Sequence, residues 1–305
     1  MRKILWSMVV ICLGVLWACE TPIGMKLPGK KNTKVIEGWI ENDQYPVVVV
    51  SNSLSYYSTI GAEDVLASAD KNAKVYITDE DGNSEQLSLG FTTEHIFGIV
   101  GAAYVGKTIK GVAGKEYSLY VEDGEGQIFT AKARIPQQSM QIDSLFFPVS
   151  ATVYDTFYPM RIIFQDRQET YDCYRFFCKI THLDIAYSPI RLGTFDDLTF
   201  NGKQITYEIS RSPLSNFNIS GMTDSAREDY TRSYFKPGDT VVLRATLTDT
   251  ATLNYWFPLQ TDIFLGSNPF LITKHYPTNI EGENVTGIFS GYHARYDTLI
   301  FYKDN

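Results

Sequence analysis

From Thr33 onward, short runs of β-branched and aromatic residues alternate with clusters of Gly, Pro, Asn and Asp. This period-2 pattern broken by turns predicts a body built of strands. Lys34-Val-Ile-Glu-Gly-Trp-Ile40 alternates, and Pro46-Val-Val-Val-Val-Ser51 is a continuous apolar run, as a strand covered on both faces would be. Ala73–Thr78 leads through Asp79-Glu-Asp-Gly-Asn83 into Ser84–Leu89, a predicted hairpin. Lys115–Val121 and Gln127–Ile135 form a second one across Glu122-Asp-Gly-Glu-Gly126. About seven strands over residues 34–137 suit a small Ig-like or transthyretin-like β-sandwich, with Pro136-Gln-Gln-Ser139 as its boundary.

Residues 138–305 read as a second β-rich domain, with strands at Ile142–Phe147, Arg161–Phe164, Tyr174–His182, Gln204–Ile209 and Thr240–Leu247. One segment departs from the pattern. After Asp249 or Thr250 as N-cap, Leu253, Trp256 and Phe257 recur at helical spacing, so a short helix is expected over about residues 250–265, bent at Pro258. Thr286–Tyr292 and Asp297–Tyr302 read as two closing strands. The fold class is therefore all-β, mainly β with one short helix.

The first residues read as an address. Met1-Arg2-Lys3 is basic and Ile4–Trp17 is apolar over the length of a signal-peptide core; no later run approaches the ~20 residues that span a bilayer. Leu16-Trp-Ala-Cys19 resembles the bacterial lipobox, which implies cleavage between Ala18 and Cys19 and acylation of Cys19. Several acyl chains on one residue hold a protein stably, at ~0.8 kcal/mol per buried methylene. Residues 1–18 are then the signal peptide, and residues 19–33, with Pro, Gly and Lys and no apolar periodicity, a flexible tether.

Composition narrows the function classes. Apolar residues at 44% and charged residues at 20% are globular values, so wholesale disorder is excluded. The net charge of −8 disfavours nucleic acid as a partner, since phosphate contacts need clustered Lys and Arg. Cys173 and Cys178, ~16 Å apart on one predicted strand, lie beyond disulfide reach and read as buried thiols. His95, His182, His275 and His293 lie in no HExxH or HxH setting, and no G-x-S-x-G occurs. No catalytic residue, cofactor or metal site is assigned.

Weaker signals remain. Asp79–Asn83 opens like a calcium loop, but Gly90 stands at the twelfth position, where a bidentate acid is required, so a hairpin turn is expected. Gly101–Thr108 fits G-x-x-x-x-G-K-T, yet it leads into β-type sequence instead of opening a helix, which argues against a phosphate loop. Acids cluster at Asp196-Asp197 and at Asp224, Glu228 and Asp229; paired carboxylates hydrolyse glycosides when the fold sets them ~5 to ~9.5 Å apart. Aromatic residues crowd Tyr56-Tyr57, Tyr154–Tyr158 and Tyr230–Phe235, as a ligand platform or a partner-facing patch would.

The lipobox, Val35-Ile-Glu-Gly-Trp-Ile40, Ala73–Asp79, Gly114–Leu119, Phe164-Gln-Asp166 to Tyr174-Arg-Phe176, Phe195-Asp-Asp197 with Phe200-Asn-Gly-Lys203, Asn268-Pro-Phe270, and Asn279-Ile280 before Gly287–Tyr292 follow in order. Together they resemble the Bacteroidota outer-membrane lipoprotein family known as domain of unknown function 4249. The resemblance implies an envelope lipoprotein that often accompanies a TonB-dependent transporter, and it carries over no catalytic residue. Asp143-Ser-Leu, Asp224-Ser-Ala, Asp239-Thr-Val and Asp297-Thr-Leu resemble the O-glycan acceptor pattern of that phylum. The expected function is a non-enzymatic accessory or substrate-binding partner of such a transporter; a surface adhesin and a carboxylate hydrolase are the rivals.

Overall fold

The computed structural model describes residues 33–54, 62–92, 101–148, 157–211, 233–265 and 276–302. In chain order these form β1 (Lys34–Glu41), β2 (Val47–Asn52), helix α1 (Ala62–Ser68), β3 (Lys74–Asp79), β4 (Ser84–Gln86), β5 (Ser88–Thr92), β6 (Gly101–Val105), β7 (Glu116–Glu122) and β8 (Ile128–Arg134). Then follow β9 (Gln141–Phe146), β10 (Met160–Gln165), β11 (Cys173–Ile180), β12 (Ser188–Asp196), β13 (Gln204–Ile209), β14 (Thr240–Thr248), helix α2 (Thr250–Leu265) and β15 (Val285–Ile300).

One eight-stranded sheet, in the order β12-β11-β14-β15-β1-β2-β6-β5, is partnered by a four-stranded sheet, β4-β3-β7-β8, and a three-stranded one, β13-β10-β9. Period-2 alternation sends Ile36, Ile40, Val48, Val50 and Phe289 against Val75, Ile77, Leu119, Val121 and Phe129. It likewise sends Tyr174, Phe176, Cys178, Val241, Leu243 and Ala245 against Ile162, Phe164 and Ile209. The registers of β15 with β1 and β14 put both cores on the same face of the wide sheet. The result is two β-sandwiches that share a sheet. Pro136–Ser139 marks where the chain passes from the first partner sheet to the second, and residues 34–137 and 138–305 contribute neighbouring strands of the wide sheet within one compact unit.

Strand β15 splices the two halves. Val285–Tyr292 pairs in parallel with β1, and His293–Ile300 pairs antiparallel with β14. Where β14 ends, side chains replace the missing strand. Asn279 Nδ2 donates to the Phe289 carbonyl at 2.8 Å while its Oδ1 accepts the Phe289 N–H at 3.0 Å, and Thr278 Oγ1 donates to the Gly287 carbonyl at 2.7 Å. Gly287 has φ +127°, and a Cβ there would lie 1.8 Å from the carbonyl oxygen of Ile36, its partner on β1. Only glycine lets the two backbones approach so closely.

The opposite face of the wide sheet sets buried charges among buried aromatic side chains. Arg244 on β14 pairs with Glu41 on β1, its guanidinium 4.8 Å from the Phe177 ring and 5.5 Å from the Tyr292 ring. Arg175 lies 3.9 Å over the Trp256 ring of α2 and donates to Thr194 Oγ1 at 2.9 Å. Aromatic faces replace part of the hydration these cations lose. Helix α2 covers this face: Thr252 bonds Ser290 at 3.0 Å, and the Gln260 amide exchanges two hydrogen bonds, 2.5 and 3.0 Å, with the backbone of Thr194 on β12. The Asp249 carboxylate caps the helix through the Thr252 N–H at 2.8 Å, and Pro258 lies inside the helix, as its sequence position indicated.

Three expectations change. Ser84–Leu89 is not one hairpin arm: it breaks at Leu87, whose side chain is buried, and β5 leaves for the wide sheet. The two closing strands are a single strand, because His293–Tyr296 contains no turn former and has a neighbour on β14 throughout. There are two described helices, not one; α1 is too short for periodicity to reveal. Strand β12 went unread because Pro189 and Gly193 interrupt its sequence and Leu192 takes φ +54° at an irregularity in its pairing with β11.

Two measurements test this architecture. Gly287→Ala should cost roughly 3 kcal/mol or more in urea unfolding, since backbone must move against backbone. Burial pushes the Glu37 carboxyl up to about 8, with Arg175 only partly opposing it. The native state therefore keeps a proton that the unfolded chain releases, and stability falls as pH rises from about 4.5 to about 8. Because Glu37 keeps part of its surface open, the discounted effect is on the order of 2 kcal/mol, and Glu37→Gln should remove that slope in denaturation curves at pH 5 and pH 8.

Candidate functional site

The second sandwich carries a cleft of about 1030 Å³ between α2 and the β12–β13 side of the fold. Its floor is aromatic: Phe195 stacks on Tyr207 at 4.6 Å and on Tyr174 at 5.2 Å, with Phe200 edge-on to Phe164. Strand alternation puts Phe195 and Tyr207 there, and the tight turn Asp197–Lys203 brings Phe200 beside them. Helix α2 supplies the other wall with Leu253, Asn254 and Phe257, and Tyr276 closes one end. Leu198, Phe257 and Tyr171 at the mouth are 73%, 51% and 48% exposed, an unusual density of apolar surface at one opening.

Few polar groups face this space. Tyr171 donates to Asp196 Oδ2 at 2.7 Å, and Tyr276 donates to Asp262 at 2.8 Å. Tyr207 donates to the Leu192 carbonyl at 2.8 Å, and burial pushes its phenol up to about 12; burial and Asp262 do the same at Tyr276. These phenols stay protonated at neutral pH and serve as amphipathic contact surface. Such a lining suits a ligand with apolar faces and a few hydrogen-bonding groups.

The adjacent acids part company. Asp196 belongs to the cleft lining, whereas Asp197 turns inward and, with Asp166 and Asp172, forms a buried group whose ligand oxygens lie within 4.8 Å of one another. Gly202, at φ +73°, donates its N–H to Asp166 at 2.7 Å, and the Tyr174 hydroxyl donates to the same carboxylate. Arg167 grips Asp172 with two N–H groups. Burial, then the charges of Asp166 and Asp172, raise the Asp197 carboxyl above its ordinary range, against hydrogen bonds that favour its charged form. These are the described residues that could hold a metal. Nothing in the sequence marks Asp166 and Asp172 as ligands, because a five-residue gap between two acids in a polar loop is no signal by itself.

The remaining expectations resolve residue by residue. Asp79 accepts from the Asp81 and Asn83 N–H groups, the turn that was predicted. Gly101–Val105 is strand β6, and the N–H groups of Lys107, Thr108 and Ile109 converge on the carboxylate of Glu85 at 2.5 to 3.1 Å. The phosphate-loop likeness thus has a physical basis: the segment is an anion nest, and its anion is internal. Burial opposes ionisation of Glu85, but those donors outweigh it and hold the carboxyl below the usual range.

Cys173 and Cys178 are free and buried, and burial pushes both thiols up to about 12. His182 lies 3.6 Å from Asp239, and His293 meets the Pro136 carbonyl. Ser144 and Thr298 of the Asp-Ser/Thr triplets are exposed, and Thr240 is partly so. Tyr158 packs edge-on to Phe301, and Phe235 is core. Ala18, Cys19, Tyr56, Tyr57, His95, Tyr154, Asp224, Glu228, Asp229, Tyr230, Asn268–Phe270 and His275 lie outside the described residues.

Phe164–Asp166, Tyr174–Phe176, Phe195–Asp197 and Phe200–Lys203, four stretches within residues 164–203, meet at this cleft and the acids behind it. No curated protein matches the chain. Residues 20–297 match the family model described as Domain of unknown function (DUF4249), a span that takes in both sandwiches, the cleft and α2, and the chain belongs to that family.

Proposed function

We propose that this protein is a lipid-anchored, non-enzymatic binding protein of the outer membrane that serves a TonB-dependent transporter as accessory or substrate-binding partner. In this reading Cys19 carries the acyl chains after cleavage behind Ala18, and residues 19–33 let the body stand off the bilayer. The first sandwich, of Ig-like or transthyretin-like kind, is scaffold, and the second presents the cleft.

The observation that carries the reading is the aromatic cleft, with Phe195, Phe200 and Tyr207 below and Phe257 at its rim. A cavity of this size and polarity suits capture of an organic ligand through its apolar faces. Hydrolysis by paired carboxylates is less well supported, since Asp196 is the one carboxylate among the described residues lining the cleft and Asp197 faces away from it. A free-standing adhesin would need only the first sandwich, which leaves the cleft of the second without a role.

Cys19→Ala should move the protein from the membrane pellet to the soluble fraction and abolish palmitate labelling; a variant that still pellets would sink the anchor. Pull-down of the native protein from detergent-solubilised outer membrane should recover a large β-barrel. Adding Leu198→Asp and Phe257→Asp should reduce that recovery about fivefold, an effect of about 1 kcal/mol at a rim. Undiminished recovery with unchanged melting temperature would remove the cleft from the contact.

A further inference from the structure

We propose that Asp166, Asp172 and Asp197 form a binding site for one divalent cation of calcium's size. The three come from the loop after β10, the residue before β11 and the residue after β12, and their ligand oxygens lie within 4.8 Å of one another. They are 2%, 3% and 0% exposed, so water does not carry their charge.

The donors around them fall short of the need. Asp166 receives Tyr174 and the Gly202 N–H, Asp172 receives Arg167, and Asp197 Oδ2 receives the Asp172 N–H at 3.0 Å. Asp197 Oδ1, sealed from solvent, has no hydrogen-bond donor among the described residues. Among the described residues, three carboxylates meet the single guanidinium of Arg167, so with all three ionised two negative charges would stand uncompensated in a site closed to water. A carboxylate so placed costs several kcal/mol unless a counter-charge arrives. A divalent cation supplies that charge and a partner for the orphaned oxygen at once.

Ligand type and spacing select the ion. All three donors are hard oxygens, the set preferred by calcium, magnesium and manganese over zinc or copper. Two ligands of one ion stand at most twice the metal–oxygen distance apart, about 5 Å for calcium and about 4.2 Å for magnesium. The ligand oxygens all lie within 4.8 Å of one another, inside the first limit, and three carboxylates can contribute up to six oxygens, a dry all-protein set that suits calcium better than magnesium, which sheds its waters reluctantly. A bound ion would tie the turn carrying Leu198 and Phe200 to the starts of β11 and its preceding loop, which frame the cleft mouth. The site stands whether or not the cleft serves a transporter.

Full-length protein in detergent, stripped with EDTA, should take up one calcium per chain in isothermal titration calorimetry and gain about 5 °C in melting temperature at a hundredfold excess over Kd. Magnesium should give a smaller gain. Asp197→Asn should lose both calcium effects, while Glu283→Gln, on an exposed turn, should keep them; if Asp197→Asn does not fold, Asp172→Asn takes its place. Absence of calcium uptake by the wild type would overturn the proposal and assign the site to a carboxyl proton, and so would uptake retained by either Asn variant.

Discussion

The architecture depends on one backbone contact, the parallel pairing of β1 with the first half of β15. These strands come from near opposite ends of the described sequence, and their register, Lys34 with Val285 through Glu41 with Tyr292, holds the two sandwiches in one sheet. A parallel pair forms only after a long loop has closed, so its entropy cost must be met by burial on both faces. Hydrophobic contact meets it on one face. On the other, a covered array of Glu41, Arg244 and Arg175 does so through ion pairing and aromatic stacking.

Buried and half-buried anions recur in the molecule with different solutions. Glu85 is held by backbone N–H groups, Asp70 and Asp123 by Lys34 at 3.0 and 3.1 Å, and Glu41 by Arg244. In each, the counterpart comes from a remote part of the chain, so charge neutralisation also cross-links the fold. The acids behind the cleft differ because their internal counterparts do not add up, which is why that cluster draws attention and the others do not.

Local signals located most strands. The alternation of Lys34–Ile40 and Thr240–Leu247, the Gly-containing hairpin turns and the Asp249 cap all have short-range physical causes that survive in the structure. Misreadings share a different cause. Leu87 ends a hairpin arm because a core reaches for it, and β12 tolerates Pro189 and Gly193 because β11 and Gln260 hold it in place. The site was legible only in fragments: Asp196 and Asp197 stood out as a pair, yet adjacent strand-end residues point in opposite directions, one to the cleft and one inward.

Sequence by itself determined the β-rich class, the helix over residues 250–265 with its Asp249 cap, the turns at Asp79–Asn83 and Glu122–Gly126, and the thiols kept apart on one strand. Each of these follows from periodicity or backbone preference within about ten residues. Tertiary structure alone decided that the two sandwiches share a sheet, that Lys107-Thr108-Ile109 encloses the carboxylate of Glu85, and that Asp166, Asp172 and Asp197 converge. Those outcomes rest on pairings between segments tens to hundreds of residues apart, whose partners are chosen by the burial and charge balance of the whole body and leave no periodic trace along the chain.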